Sequence, residues 1–186
     1  VLLFCGTAAY GIHALSVAKE AIDEVVELDA PRLKDEQELV VHVLRAIWAQ
    51  KNLILADTPD AMRRFAEEGA EQRAAFEALR AKLEAGAEEA DKAYWATVAA
   101  SMRSFAADAD AIRDRALAGD LAAAEAISNG RAREHAEELV TELEAGVRAN
   151  EEKMAEAKAV VDADYEATQA TFLVPAGTSI VLAIGF

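Results

Sequence analysis

The chain has 186 residues, 45 of them alanine, and carries 34 Asp and Glu against 19 Lys and Arg, which gives a formal charge of −15. So acidic a chain offers few cations to neutralise phosphates, which excludes nucleic acid as a partner. A single cysteine excludes a disulfide framework and a CxxC site, and the three histidines form no ExxH motif, so we expect no metal, no cofactor and no enzymatic activity.

The two ends of the chain are uncharged and apolar, because every charged residue lies between Lys19 and Glu166. As helices, the segments 1–15 and 171–186 would each extend about 23 Å, less than the ~30 Å hydrocarbon core of a bilayer. Since the chain begins with Val1 and stops within an apolar run, we interpret both ends as parts of transmembrane helices that anchor it in a membrane. The alternative is a signal-peptide remnant and a C-terminal core helix, although no Ala-x-Ala cleavage site is visible.

Three turn signals divide the middle of the chain into four predicted helices. Thr58 is a suitable N-cap before Pro59 at the first helical position. Gly86 marks a weaker break, and Gly119 followed by Asp120 combines a glycine stop with an acidic cap. The predicted helices are 14–56, 60–84, 90–117 and 120–172 or beyond. No alternating run of β-branched residues predicts a strand.

The first predicted helix has more apolar surface than one bundle needs, and Pro31 should kink or interrupt it. Between Leu39 and Leu55, 12 of 17 residues are apolar. One stripe faces its own bundle: Val40, Val43, Leu44, Ile47 and Ile54. A second stripe, rotated by ~100°, needs another partner: Val41, Arg45, Trp48, Asn52 and Leu55. We infer a homodimer along this helix, with a two-fold symmetric interface; the alternative is a monomer in which Trp48 caps the core.

Apolar residues recur at helical spacing along the third and fourth helices. The third carries Tyr94, Val98, Met102, Phe105, Ala109, Ile112 and Ala116; the fourth carries Leu139, Leu143, Val147, Asn150, Met154, Ala157, Val161, Asp164 and Thr168. Such seams favour near-parallel packing. With short turns, we predict an all-α, antiparallel up-down-up-down four-helix bundle, whose long first and fourth helices continue into the membrane segments. Asn150 either sets the register of the core or marks where the seam opens.

This order of elements resembles the four-helix-bundle sensor domain of bacterial methyl-accepting chemotaxis proteins. The most family-like piece is the run Lys51-Asn52-Leu53-Ile54-Leu55 followed by an acidic Thr-Pro turn. The resemblance implies a chemoreceptor of the bacterial inner membrane, with a periplasmic sensor domain at 16–170 between membrane segments at 1–15 and 171–186. Sensor histidine kinases and diguanylate cyclases use similar bundles, and a membrane-anchored helical spacer that binds no ligand is a further alternative.

The resemblance also implies a homodimer that binds a small organic or amino acid between its two first helices, with help from the fourth. The positions that fit are Arg45, Trp48 and Asn52 on the first helix, and Asn129, Arg131 and Arg133 on the fourth. Arginine suits carboxylates. Family receptors for acidic amino acids carry several arginines on the first helix, whereas this stretch has only Arg45 and Lys51, which argues against an acidic amino acid as the ligand. Each position has an alternative role: Arg45 in a dimer salt bridge, Trp48 in interface packing, and the fourth-helix arginines at a solvated surface. A ligand would shift the fourth helix along or about its axis, and so carry the signal across the membrane.

Overall fold

The secondary structure is helical throughout the part of the chain that the structure describes. This computed structural model describes residues 16, 17, 19 and 29–184. Its α-helices in that range are α1 (Ala30–Leu55), α2 (Pro59–Ala85), α3 (Lys92–Leu117), α4 (Leu121–Asn129) and α5 (Arg131–Ile184), with a 3₁₀ turn at Glu89–Asp91 before α3. The all-α prediction is confirmed for these residues.

Local capping explains where α2 begins and where α3 ends. Thr58 Oγ1 accepts a hydrogen bond from the Ala61 amide at 3.2 Å, and a proline follows the cap directly. Gly119 has a φ of 82°, and the next amide bonds back to the Arg115 carbonyl at 2.9 Å. This arrangement is typical of a glycine C-cap, because only glycine adopts a left-handed conformation without steric cost. The signals at Thr58 and Gly119 are confirmed, and so is the weaker one at Gly86, which is the C-cap of α2.

The fourth predicted helix is not continuous, because it breaks at Gly130. The Gly130 amide closes α4 by donating to the Ala126 carbonyl at 3.1 Å, and the Gly130 carbonyl accepts from Arg133 and Glu134 to open α5. A Cβ at position 130 would lie 3.0 Å from the same Ala126 oxygen, closer than an ordinary contact. The prediction of one helix from 120 to 172 is therefore wrong at this residue.

The structure describes the backbone of the second predicted membrane segment, 171–186, as far as residue 184, and none of the first. Residues 16, 17 and 19 are helical, but the rest of the predicted helical stretch 14–28 and the segment 1–15 lie outside the described residues. Pro31 lies in the first turn of α1, and α5 remains helical as far as Ile184. Within the described part of the chain, no helix combines the length and apolar character that crossing a bilayer requires.

The chain divides into two units, one at Arg32–Arg148 and one made of Val1–Pro31 and Ala149–Phe186. In the unit Arg32–Arg148, one hydrophobic core joins α1, α2, α3 and α5. It is built from Leu39, Val43, Ala46, Phe76, Leu83, Trp95, Val98, Met102, Phe105, Ala136, Leu139 and Leu143. A second cluster lies towards the α1–α2 turn, at Leu53, Ile112, Ala116, Ala124 and Ala132. The seam predicted on the third helix is buried from Val98 to Ala116, but the fully buried Trp95 beside it was not predicted.

The described part of the second unit consists almost entirely of the C-terminal part of α5. Lys158 Nζ and Asp162 Oδ2 form an ion pair at 2.6 Å one turn apart. Val160 and Tyr165 are large side chains exposed on the same helix.

Candidate functional site

Lys51 joins α1 to the end of α4. Its ammonium lies 2.7 Å from Ser128 Oγ, 3.3 Å from the Ser128 carbonyl oxygen and 2.9 Å from Asn129 Oδ1. The buried Gln50 amide also donates to Ser128 Oγ, at 3.4 Å. The last carbonyls of a helix lack intrahelical partners, and a nearby cation both satisfies them and interacts favourably with the helix dipole. Lys51 therefore fixes the C-terminus of α4 against α1.

A groove of about 370 Å³ adjoins this contact, between α1 and the first turns of α5. Its apolar lining consists of Leu44, Ile47, Phe105, Ala132, Ala136 and Val140. Its polar lining consists of Gln50, Lys51, Ser128, Arg133, Glu137 and Thr141. Small-molecule sites typically have a volume of about 300–1,000 Å³ and combine apolar walls with a few polar groups. The groove, named here the α1–α5 groove, meets both criteria.

The α5 side of this groove carries opposite charges one turn apart. Arg133 Nη1 lies 3.6 Å from Glu137 Oε1, and the two side chains are 62% and 65% exposed. Among the described residues this is the one ion pair of Arg133. A pair at that distance and exposure is weak, so the guanidinium can exchange it for a ligand carboxylate at little cost.

Arg131 is directed instead at a buried carboxylate on α3. The Asp108 side chain is 5% exposed, and its two oxygens meet Arg131 Nε at 2.6 Å and His135 Nδ1 at 2.7 Å. A buried carboxylate needs such partners because losing its hydration is otherwise costly. Arg131 and His135 therefore tie the start of α5 to α3.

The second apolar stripe of α1 is exposed in the single chain. This stripe, named here the outer face, consists of Val41, Arg45, Trp48, Asn52 and Leu55. Trp48 is 55% exposed, and its ring is nearly perpendicular to that of Phe65, with the ring centroids 5.8 Å apart. Asn52 Nδ2 donates to the Trp48 carbonyl at 2.8 Å, within the same helix. Val41, Arg45 and Leu55 on the outer face are exposed as well, and Asn52 is half-buried.

The six predicted ligand residues are therefore found in three places. Arg45, Trp48 and Asn52 lie on the outer face, Asn129 and Arg133 lie beside the α1–α5 groove, and Arg131 lies at Asp108. Leu44 was predicted to face the core, but it is 51% exposed and borders the groove. Because the groove lies on one side of α1 and the outer face on another, the structure does not bring all six together in one chain.

Sequence reasoning missed two polar residues that organise this region, Ser128 and Asp108. Ser128 precedes Asn129 and Gly130, and such a cluster is a helix-end signal that the continuing apolar periodicity obscured. Asp108 lies three residues after Phe105 and four before Ile112. That spacing places it on the buried face of α3 and could have identified a carboxylate in need of partners.

A second recess, of about 460 Å³, lies where the α1–α2 and α3–α4 turns meet. It is lined by Asp57, Thr58, Pro59, Met62, Arg63, Ala116, Leu117, Gly119 and Leu121. Two of its polar groups are already engaged, because Thr58 caps α2 and Arg63 pairs with Asp60, and Arg63 is the one cation in its lining. The α1–α5 groove is therefore the better candidate site.

In the range that the structure describes, no three His, Cys, Asp or Glu side chains are grouped as metal ligands. Comparisons with protein-family models, with curated proteins and with solved structures find no match to this chain. The functional interpretation consequently depends on the sequence pattern and on the geometry of α1 and its neighbours.

Proposed function

We propose that this chain is the ligand-sensing extracytoplasmic domain of a bacterial transmembrane chemoreceptor, held in the inner membrane by its apolar ends. In this proposal the helices form an antiparallel up-down-up-down bundle, with α4 and α5 together as the fourth member. The supporting observation is that α1 has two apolar sides: Leu39 and Val43 are buried in the core, whereas Trp48 and Leu55 are exposed. A helix that is apolar on more than one side is normally buried on more than one side.

The partner proposed for the outer face is the same face of a second copy. Two-fold symmetry is the commonest way for a protein to cover a self-complementary patch. Trp48 lies at the middle of the stripe, where large aromatic side chains contribute most to binding. Arg45 and Asn52 then flank the seam between the two copies of α1.

The proposed ligand binds against α1, where the outer face and the α1–α5 groove adjoin at Leu44. Arg45, Trp48 and Asn52 approach it from the seam, and Asn129 and Arg133 from the groove; Arg131 acts indirectly by positioning α5. A ligand changes the balance between two helix arrangements only if it binds them unequally. Because α5 is one helix from Arg131 to Ile184, a small displacement at the groove is carried along its length.

The test is a hybrid receptor, in which this chain precedes the signalling portion of a characterised chemoreceptor in cells that lack their own receptors. We expect at least one compound from a panel of organic and amino acids to change kinase activity, and Arg45→Ala to weaken the response. Arg103→Ala is the matched control, because Arg103 is an exposed arginine on α3. If no compound changes kinase activity or the melting temperature of the chain, the chain is a helical spacer and the proposal is wrong.

A histidine kinase or a diguanylate cyclase would use the same sensor geometry, so the hybrid alone does not identify the output domain. The sequence of the gene beyond the Phe186 codon does. A HAMP-like linker leading to a glutamate-rich helical hairpin would support the chemoreceptor. A catalytic domain would instead identify the protein as a sensor histidine kinase or a diguanylate cyclase.

A further inference from the structure

We propose that the α1–α5 groove binds a compact monocarboxylate with an apolar aliphatic body. This inference rests on the proposed sensing function, and it names the chemical class of the ligand and the residue that holds its charge. Three properties of the groove carry it: the apolar walls, the balance of charge at the polar edge, and the position of the groove across the break at Gly130.

The walls of the groove select an apolar body. Helices α1, α3 and α5 all contribute apolar side chains to it, and Phe105 is fully buried. A sugar or polyol placed there would lose hydration of its hydroxyl groups without enough partners, which is unfavourable. An alkyl chain instead removes the exposed surface of Leu44 from water, and that gain scales with the apolar area buried.

The charges at the polar edge select one negative charge. The chain as a whole carries −15, so an anion approaches favourably only where cations are concentrated locally. Lys51 and Arg133 line the groove together with a single acid, Glu137, which leaves an excess of one positive charge. A monocarboxylate matches this excess, whereas the second carboxylate of a diacid would face Glu137 without a cation of its own.

The two cations have different roles because their hydrogen-bonding positions differ. All three donors of the Lys51 ammonium have acceptors on Ser128 and Asn129, so Lys51 contributes its electric field. Within the described part of the chain, the long contact with Glu137 is the one ion pair of Arg133, and its planar fork can donate two parallel hydrogen bonds to one carboxylate. Arg133 is therefore the residue that binds the carboxylate.

The same geometry disfavours an amino acid of equal size. Its α-ammonium is attached next to the carboxylate, so it would lie near Arg133 and Lys51, and like charges repel. A net-neutral zwitterion also leaves the excess positive charge of the groove uncompensated. Glu137 is mostly exposed, so its attraction for the ammonium is screened by solvent.

The groove also spans the break in the last helix. Its walls include Ser128, from the last turn of α4, and Arg133, from the first turn of α5. A ligand in contact with α1 and with both sides of Gly130 can favour one arrangement of the break over another, which is the unequal binding that signalling requires.

The experiment uses the full chain in lipid nanodiscs and three ligands of nearly the same shape. These are 4-methylpentanoate, its uncharged amide 4-methylpentanamide, and leucine, which adds only the ammonium. We expect 4-methylpentanoate to raise the melting temperature and to bind at least about tenfold more tightly than the other two. Arg133→Gln should weaken binding of 4-methylpentanoate by at least about tenfold, and Arg103→Gln should leave it unchanged, with circular dichroism confirming that both variants fold.

Each other outcome overturns a defined part of the proposal. Equal binding of leucine would show that the site accepts zwitterions, and equal binding of the amide would show that charge is not recognised. An affinity unchanged by Arg133→Gln would place the carboxylate elsewhere. If none of the three binds while another compound drives the hybrid receptor, the ligand class is wrong and the sensing function stands; if nothing acts in either assay, both are wrong.

Discussion

Gly146 makes room for the ring of Tyr94 where α3 packs against α5. A Cβ at position 146 would overlap the Tyr94 hydroxyl and would lie 2.7 Å from Cζ, a distance that side chains do not tolerate. Gly69, in the middle of α2, has room for a side chain, because a Cβ there would make an ordinary contact of 3.6 Å with Ala49. The two glycines therefore form a matched pair for testing how tightly α3 and α5 are packed.

We expect Gly146→Ala to lower the free energy of unfolding by about 1–3 kcal/mol through overpacking, despite the better helix propensity of alanine. Gly69→Ala should be neutral, or stabilising by up to about 1 kcal/mol. Urea denaturation measures both values, and in a Tyr94→Ala background, where the ring is absent, Gly146→Ala should cost less than it does in the unaltered chain. Equal stability of the two single variants would contradict this packing.

Burial, supported by the charges of Glu36 and Glu142, raises the pKa of the Tyr94 hydroxyl above its ordinary value. The neutral phenol is thus favoured in the folded state, so its contribution to stability is complete below pH ~10 and is lost as the pH rises above ~10. Because Tyr94 is only partly buried, the decline should be less than the one-proton limit of ~1.4 kcal/mol per pH unit. Tyr94→Phe should remove this component of the alkaline decline in denaturant titrations from pH 8 to 11.

Asp108 illustrates a buried charge whose partners hold two helices together. Asp108→Asn keeps the size of the side chain but weakens the bonds to Arg131 and His135, and we expect a loss of about 1–3 kcal/mol in unfolding free energy. Asp110→Asn is the control, because Asp110 is about half exposed and pairs with Arg73 and Arg113; we expect a loss of less than about 1 kcal/mol. If chemical denaturation gives similar losses of unfolding free energy for the two variants, burial does not strengthen the interactions of Asp108 beyond those of the half-exposed Asp110.

At the scale of the helices, the sequence predicted the ends that depend on local chemistry. Thr58 and Gly119 determine helix ends through contacts with residues a few positions away, so their signals are complete in the sequence. The break at Gly130 could not be predicted in the same way. A lone glycine is tolerated within a helix, and Lys51, which holds the end of α4, is 77 residues from Ser128.

Lys51→Met should loosen α4 without unfolding the chain, because the apolar stem is kept while the bonds to Ser128 and Asn129 are lost. Their net value, ~1–2 kcal/mol, corresponds to about tenfold faster amide hydrogen exchange in α4. Lys82→Met, which removes an exposed ion pair with Asp35 on α1, should leave that exchange unchanged. If exchange in α4 is the same in both variants, Lys51 does not hold the helix.

At the scale of the whole molecule, most of the apolar surfaces were predictable and the cavity was not. Periodicity placed Val41, Trp48 and Leu55 on the outer side of α1, and they are exposed in the single chain, but it also placed Leu44 on the inner side, and Leu44 is exposed too. The α1–α5 groove depends on how α1, α3 and α5 pack, which no spacing within one helix records. For that reason the sequence predicted Arg133 and Arg45 as residues of one ligand site. In the single chain Arg133 lines the α1–α5 groove, whereas Arg45 lies on the outer face.

The homodimer gives the outer face a partner, and it is tested by a charge placed at the centre of the stripe. Trp48→Asp would bury two carboxylates against each other across a two-fold axis, where like charges and lost hydration both oppose association. Val160→Asp introduces the same side chain at another exposed apolar position, on α5. In analytical ultracentrifugation of the full chain in a mild detergent, we expect the unaltered chain and Val160→Asp to be dimers and Trp48→Asp to be a monomer with an unchanged helical circular dichroism spectrum. A dimer that persists in Trp48→Asp would show that the copies meet elsewhere, because no symmetric interface centred on this residue tolerates that pair of charges.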